Sequence, residues 1–414
     1  MPRRRPLSPT PPTRARSTSS CRCAFEVTAV PARIVPFPAA AVRASAPAAV
    51  LRLDLTDFRC YAALRLDVPA APVALVGPNG AGKTNLLEAI SFLAPGKGMR
   101  RARIHDPERT GGTGPWAVSA EIRSFGDTVR VGTGRGEGDK RVVRVDGKPQ
   151  RGQAELARRL SVVWLTPEMD RLFAEGAGAR RRFLDRLVYG FDSEHAGQVA
   201  AYDHSLRERA RLLAEGNGDA AWLGALEESL ARHGVAIAIA RAQTVARLDR
   251  AARANVGPFP TPALTLTGEI ERLCAEMPAL ALEERARDIL AANRRTDAEN
   301  GTTAFGPHRG DLAARWAEKD APASRLSTGE QKALLVSLIL AYARELAAER
   351  GAPPVLLLDE IAAHLDPARR AHLFDELAAL GAQFWATGAD EDAFAPLAGR
   401  AHMLRVEAGG VVPA

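Results

Sequence analysis

Cysteine is scarce. The 414 residues hold four: Cys21 and Cys23 together near the N-terminus, and Cys60 and Cys274 standing alone. That spacing offers neither a zinc site nor a disulfide framework, and it fits a reduced, cytoplasmic compartment. Long apolar runs are missing too. A membrane span needs roughly 18 apolar residues, and Ala-rich stretches such as residues 235–240 are short and flanked by arginine. No membrane is expected as a partner. The body of the chain also lacks an excess of either charge. The net charge is +7, but residues 1–50 contain eight arginines, no lysine and one acid, Glu26. Residues 51–414 are left with 48 basic and 48 acidic side chains. Bulk charge therefore gives no support to nucleic-acid binding, and only a local patch could supply it. Neither an internal repeat nor a sustained heptad pattern occurs, which excludes a solenoid and a long coiled coil.

Residues 1–48 are rich in Pro, Ser, Thr and Arg and show no periodicity. Such a segment cannot bury enough apolar surface to fold. It reads as a disordered basic tail or a start placed too far upstream, with an organelle transit peptide as the other alternative. Beyond it, residues 50–58 alternate strictly, as a half-buried strand does, and residues 63–68 look like its hairpin partner. Residues 72–76 form a short apolar strand. A helix is expected over 82–93, stopped by Pro95. Residues 117–122, 129–133 and 141–145 read as three antiparallel strands, with Asp146-Gly147 as a turn out of the third. Residues 162–165 are another buried strand. From about 179 to 292 the chain is dense in Ala, Leu, Arg and Glu, a helical texture, and strands return at 311–316, 355–358 and 383–386. The expected fold is α/β: a sheet-bearing head over 49–167 and 300–414, interrupted by a helical lobe over 168–299.

The strand at 72–76 runs into Gly77, Pro78, Asn79, Gly80, Ala81, Gly82, Lys83 and Thr84, followed by Asn85. Gly-x-x-x-x-Gly-Lys-Thr between strand and helix is the full Walker A pattern. Its glycines let backbone N–H groups turn toward phosphates, and the helix start adds positive potential. Lys83 would reach the β- and γ-phosphates of ATP, and Thr84 would place its hydroxyl on Mg²⁺. The bland alternative is a chance Gly-rich turn.

Val355, Leu356, Leu357 and Leu358 end in Asp359 and Glu360. Asp359 is placed to hold Mg²⁺ through water, and Glu360 is the natural general base for the attacking water. Two acids after a buried strand can also be a solvated edge. Ser327, Gly329 and Gln331 belong to Leu-Ser-Thr-Gly-Glu-Gln, which starts 29 residues before that strand and follows the phosphate loop, with Ser327 243 residues after Thr84. That order is the layout of an ABC-type head, whose signature meets the nucleotide of a second subunit. Ser327 and Glu330 also fit a capping box on a core helix with Leu335, Leu338, Ile339, Tyr342 and Leu346 on one face. The two readings can coexist, because a capped helix start suits an anion. Asp366 precedes Pro367 and is either a helix N-cap or a D-loop contact to the dimer partner. Thr387 ends the strand at 383–386, at the switch position, where a hydroxyl could order water or phosphate. Gln153 and Glu168 are candidates for a loop sensing Mg²⁺. Arg180, Arg181 and Arg182, and likewise Arg100, Arg101 and Arg103, are either solvated faces or contacts to a DNA backbone.

Together these pieces resemble the RecF family, bacterial recombination ATPases of the SMC-like branch. Phe58-Arg59-Cys60-Tyr61 resembles the family's Phe-Arg-Asn-Tyr element near the adenine. Residues 82–90 are similar to its first helix, and Gly306-Pro307-His308-Arg309-Gly310-Asp311 resembles its Gly-Pro-His-Arg-Asp-Asp. Arg181-Arg182-Phe183-Leu184-Asp185 after Pro167 is similar as well. The resemblance runs from about residue 50 to the C-terminus. Departures are Cys60 for Asn, Gly310 for Asp, His364 in the D-loop stretch, and the N-terminal tail. The resemblance implies a homodimer formed on ATP, slow hydrolysis, binding to double-stranded or gapped DNA, and action with RecO- and RecR-type mediators to load a recombinase. The alternatives are the ATPase subunit of an ABC transporter and another SMC-like head. A transporter subunit predicts a switch histidine where Thr387 stands. A long-coil SMC protein needs more than the 243 residues between Thr84 and Ser327.

Overall fold

The computed structural model describes residues 47–414, apart from 125, 217–218, 255–256, 362–364 and 408. The expectations for residues 1–46, and for Ala363 and His364, lie outside the described residues. The chain opens with strands β1 (Ala49–Phe58), β2 (Tyr61–Asp67) and β3 (Val73–Val76), then helix α1 (Lys83–Ser91). Strands β4 (Ala117–Ser124), β5 (Asp127–Arg135), β6 (Arg141–Val145) and β7 (Lys148–Pro149) follow, then α2 (Ala154–Arg159) and β8 (Val162–Leu165). Helices α3 (Ala177–Phe191), α4 (His195–Glu215) and α5 (Ala220–Arg253) lead to β9 (Pro262–Thr267). Next come α6 (Glu269–Glu276), α7 (Ala279–Ala292), α8 (Arg294–Asn300), β10 (Asp311–Trp316) and β11 (Ala321–Pro322). The chain ends with α9 (Thr328–Arg350), β12 (Val355–Leu358), α10 (Pro367–Ala379), β13 (Phe384–Gly388), β14 (His402–Glu407) and β15 (Gly410–Pro413).

The central sheet has the order β15-β14-β3-β13-β12-β8 and is parallel from β14 through β8. Every residue of β3, β8 and β12 is buried. Continuous apolar runs of this kind need a sheet covered on both faces. Their alternation divides two cores. Val73, Leu75, Val162, Trp164, Val355 and Leu357 join α1 and a second sheet on one side. Ala74, Val76, Val163, Leu165, Leu356 and Leu358 join α3, α9 and α10 on the other.

The second sheet, β2-β1-β4-β5-β6-β7, is antiparallel throughout. It contains the five strands expected before and after the phosphate loop, and Leu53, Leu55, Val118, Ala120 and Val131 line its inner face. Gln383, 2% exposed, fastens this sheet to the central one. Its side chain accepts from Val50 N at 2.8 Å and donates to Val50 O at 2.9 Å and Pro69 O at 3.1 Å.

The structure corrects the expectation that 179–292 is wholly helical between its breaks. Strand β9 lies within it and pairs antiparallel along all of β10, from Thr267↔Asp311 to Pro262↔Trp316. The alternation Leu264-Thr265-Leu266-Thr267 is a strand pattern, but its partner is remote in sequence. The β14–β15 hairpin was likewise not expected. Helix α9 is buried on every face from Gln331 to Ala343 rather than along one stripe, as suits a helix between layers.

Helices α4 to α7 enclose a separate core around Tyr202, Leu230, Val235, Ile270, Leu282 and Leu290. Beside it lies Arg209, fully buried. It donates to Glu227 at 3.1 Å, Asp297 at 2.8 Å, Thr303 Oγ1 at 3.0 Å and Leu290 O at 2.7 Å. Arg294 supplies a second cation to Glu227. A buried carboxylate left without its partner is strongly destabilising. Arg209→Met should therefore cost about 3–5 kcal/mol in urea unfolding. A loss below about 1 kcal/mol, the worth of an exposed pair, would show that the cluster does not hold these helices together.

Candidate functional site

The phosphate loop leaves β3 and enters α1 at the C-terminal edge of the central sheet, where open parallel sheets place their ligands. Two of its glycines are required by close approach. At Gly77, φ +148, a Cβ would stand 2.3 Å from Val406 O on the neighbouring strand. At Gly82, φ +115, it would stand 2.6 Å from Tyr61 Oη, which itself donates to Gly82 O at 3.2 Å. Gly82 is the N-cap of α1 and has no side chain to cap the helix. The first N–H groups of a helix have no partner within it, so they are available to an anion. Lys83 is 7% exposed and donates to Gly77 O at 2.5 Å and Pro78 O at 2.9 Å, which holds the ammonium against the loop. Burial lowers its pKa, while Glu360 and Asp359 oppose that shift.

The β1–β2 hairpin tip lies over the start of α1. Arg59 grips buried Glu88 with two hydrogen bonds, 2.8 and 2.6 Å. Cys60 Sγ accepts from Asn85 Nδ2 at 3.1 Å, and Asn85 Oδ1 accepts from Arg100 at 2.8 Å. Pro78, Asn79, Gly80 and Ala81 form the outer bend of the loop, closed by Ala81 N on Pro78 O at 3.2 Å.

The acidic end of β12 meets this loop. Asp359 Oδ1 accepts from Thr84 Oγ1 at 3.0 Å, a contact between residues 275 apart in sequence. The same oxygen accepts from Thr387 Oγ1 at 2.8 Å. Thr387, fully buried at the end of β13, accepts in turn from Glu360 N at 2.8 Å. One hydroxyl thus ties the two acids together. Glu360 is exposed and stands at φ 48, a conformation disfavoured outside glycine and often kept at functional sites. The Thr387 hydroxyl, expected to face water or phosphate, is engaged within the protein. Burial raises the Asp359 pKa against the hydrogen bonds from Thr387 and Thr84, and Glu360 adds to the rise. A divalent cation would relieve that crowding of negative charge, and the adjacent Thr84 and Asp359 oxygens are the hard donors Mg²⁺ takes. These residues fit the ion.

The capping box expected at Ser327 is present. Its Oγ accepts from Glu330 N, and Glu330 Oε2 accepts from Ser327 N at 2.9 Å. Ser327 is exposed and Gly329 half-buried, whereas Gln331 is buried, donating to Leu326 O at 2.9 Å. Among the described residues, no hydrogen bond joins Ser327 to the phosphate loop of its own chain. Asp366 caps α10, accepting from Arg369 N at 2.9 Å, with Pro367 next.

Other candidates are placed differently. Gln153 Oε1 accepts from Gly96 N and Arg141, both at 2.8 Å, and so braces the segment after α1. Arg180 forms a double bridge to Asp311 at 2.7 and 2.8 Å, and Arg181 donates to Gly310 O at 2.7 Å. Those two are not a solvated face. Arg182 remains exposed; partial burial, then the charges of Arg101 and Arg181, lower its pKa, against Glu175 and Asp185. The sequence reading missed Lys332, 3% exposed, which pairs with Asp170 at 3.4 Å within the field of Glu360 and Asp359. The signal was a lysine directly after Gln331 in an apolar helix.

Comparisons with known proteins agree with this architecture. The model of the RecF/RecN/SMC N terminal domain matches residues 49–406. The chain is 46% identical over 367 residues to the DNA replication and repair protein RecF of Rhizobium rhizogenes, spanning 87% of this chain and 98% of that protein. It is 47% identical over 372 residues to the protein of the same name from Mesorhizobium japonicum, spanning 88% and 97%. In structure it resembles the recombination mediator protein RecF-ATPrS of the RecFOR pathway, with TM-score 0.78, 22% identity, and 89% and 99% of the two chains covered. That last likeness speaks for the fold, and the sequence identities go further. The phosphate loop, the acidic strand end and the capped signature helix sit in one chain that matches these relatives over nearly their whole length, and the chain belongs to the RecF family.

Proposed function

We propose that this chain is an ATP-driven clamp of DNA replication and recombinational gap repair. ATP closes two copies on double-stranded DNA near single-strand gaps, and slow hydrolysis opens them. The observation that carries the reading is the hydrogen-bonded line Thr84–Asp359–Thr387–Glu360, which brings a phosphate loop and a general-base candidate into one site. The printed names of the relatives, DNA replication and repair protein, supply the process. Cooperation with RecO- and RecR-type mediators in the cytoplasm, loading a recombinase, follows from that kinship. Residues 49–167 and 300–414 would act as the ATPase head and residues 168–299 as the lobe. The basic region of Arg101 and Arg182 would contact the DNA backbone.

The loop N–H groups and Lys83 would hold the phosphates of ATP. Thr84 and Asp359 would hold Mg²⁺, which supplies charge neutralisation for phosphoryl transfer when bound. Thr387 fixes the Asp359 carboxylate and the Glu360 backbone at once. Glu360 would take the proton of the attacking water. Ser327 and Gly329 would meet the γ-phosphate of ATP held by the second copy, with Gln331 shaping that loop from beneath and Asp366 reaching the partner.

Glu360→Gln should lower ATP turnover on the order of a hundredfold or more and lengthen the life of the ATP-bound dimer on size exclusion. If sizing with ATP gives only monomer for both proteins, the clamp is refuted. Lys83→Met should abolish ATP-dependent retention on duplex DNA at fixed salt; undiminished retention would remove the phosphate loop from the mechanism. Thr387→Val should lower turnover by roughly tenfold to a hundredfold while ATP binding persists and Thr387→Ser keeps most activity. Equal turnover in the Val and Ser variants would mean that the hydroxyl bridge does not position Glu360.

A further inference from the structure

The residue proposed to meet the partner's phosphate stands beside a carboxylate. Ser327 Oγ donates to Glu330 Oε2 at 2.9 Å, and that oxygen also accepts from Ser327 N. Hydrogen bonds from Lys319 and then Ser327 hold the Glu330 carboxyl down to about 2, so it is ionised at neutral pH. A phosphate oxygen arriving at Ser327 therefore meets a negative charge at close range, where like charges near a protein surface repel appreciably.

The compensating cation comes from the turn between β10 and β11. Lys319 Nζ lies 2.6 Å from Glu330 Oε1 and 4.0 Å from the centre of the Trp316 ring. The ring packs against the main core, so carboxylate and indole hold the ammonium from two sides, and the lysine side chain stays 51% exposed. The acids flanking Lys319 in sequence are engaged elsewhere. Glu318 accepts from Thr261 N, and Asp320 pairs with Arg315. Lys319 is thus left to Glu330.

We infer that Lys319 is a positioning residue of a nucleotide site shared between two copies of this chain. It neutralises Glu330, so that Ser327 and the start of α9 can receive the terminal phosphate of ATP bound to the other copy. The inference rests on the dimer proposed above. When the phosphate arrives, the Ser327 hydroxyl turns from Glu330 to the phosphate oxygen, and Lys319 keeps Glu330 paired. Glu330 retains its bond to Ser327 N, so the helix cap survives the exchange.

The test is ATP-driven dimerisation of the full chain, measured by sedimentation with a non-hydrolysable ATP analogue, beside analogue affinity of the monomer. Lys319→Met should weaken dimerisation on the order of tenfold for each shared site, with monomer affinity unchanged, and Lys319→Arg should restore it. The double variant Lys319→Met with Glu330→Gln should recover most of the loss, since Gln serves in a capping box as Glu does but carries no charge. Wild-type dimerisation by Lys319→Met overturns the inference. A double variant no better than Lys319→Met overturns the neutralising role. A wild-type chain that stays monomeric with the analogue overturns the shared site itself, and this inference with it.

Discussion

The structure depends on one short hydrogen-bonded line at the edge of the central sheet. Thr84 comes from α1, Asp359 and Glu360 from the end of β12, and Thr387 from the end of β13. These elements are adjacent because β12 and β13 pair in parallel and β3, which feeds the loop, lies on the other side of β13. Parallel strands bring their C-terminal ends to one edge, and the site is whatever those ends carry. The rest of the head serves this alignment. Sheet β2-β1-β4-β5-β6-β7 and α1 cover one face, α3, α9 and α10 the other, and Gln383 locks the two sheets in register.

The electrostatics of the site follow from its burial. Asp359 is 7% exposed and has a raised pKa because desolvation outweighs two hydroxyl donors. Lys83 feels the opposite pull from the same burial. Each charged form is disfavoured alone and favoured with a counter-charge, which makes the pocket a better host for a nucleotide carrying both phosphate and cation than for either by itself. Glu360 differs. It is exposed, and among the described residues its hydrogen bond is made by its backbone N–H, to Thr387.

Much of this was legible in the sequence, for definite reasons. Short apolar strands such as Val162–Leu165 and Val355–Leu358 are recognisable because every residue is buried and turn residues or charges bound them. The phosphate loop is legible because backbone geometry restricts it to glycine at fixed places. The capping box at Ser327 is local in sequence and so was readable. What could not be read depends on distant partners. Strand β9 is stabilised by β10, more than 40 residues away at its nearer end, where Thr267 faces Asp311. Thr387 could be singled out by position, but not its double attachment to Asp359 and Glu360, because no local pattern records which way a buried hydroxyl turns. Arg180 looked like part of a charge run, and its carboxylate partner Asp311 lies 131 residues on.

The β9–β10 pairing has a mechanical consequence. Strand β9 is separated by eight residues, 254–261, from the end of the 34-residue helix α5, which is about 51 Å long at 1.5 Å per residue. Strand β10 runs on through β11 into the loop that presents Ser327. The strand after that long helix is therefore joined by an antiparallel ladder in full register to the strand that leads to the signature. Near the C-terminal end of that helix, Asp249 accepts from Leu264 N at 2.9 Å, so α5 is also tied to the ladder by a side chain.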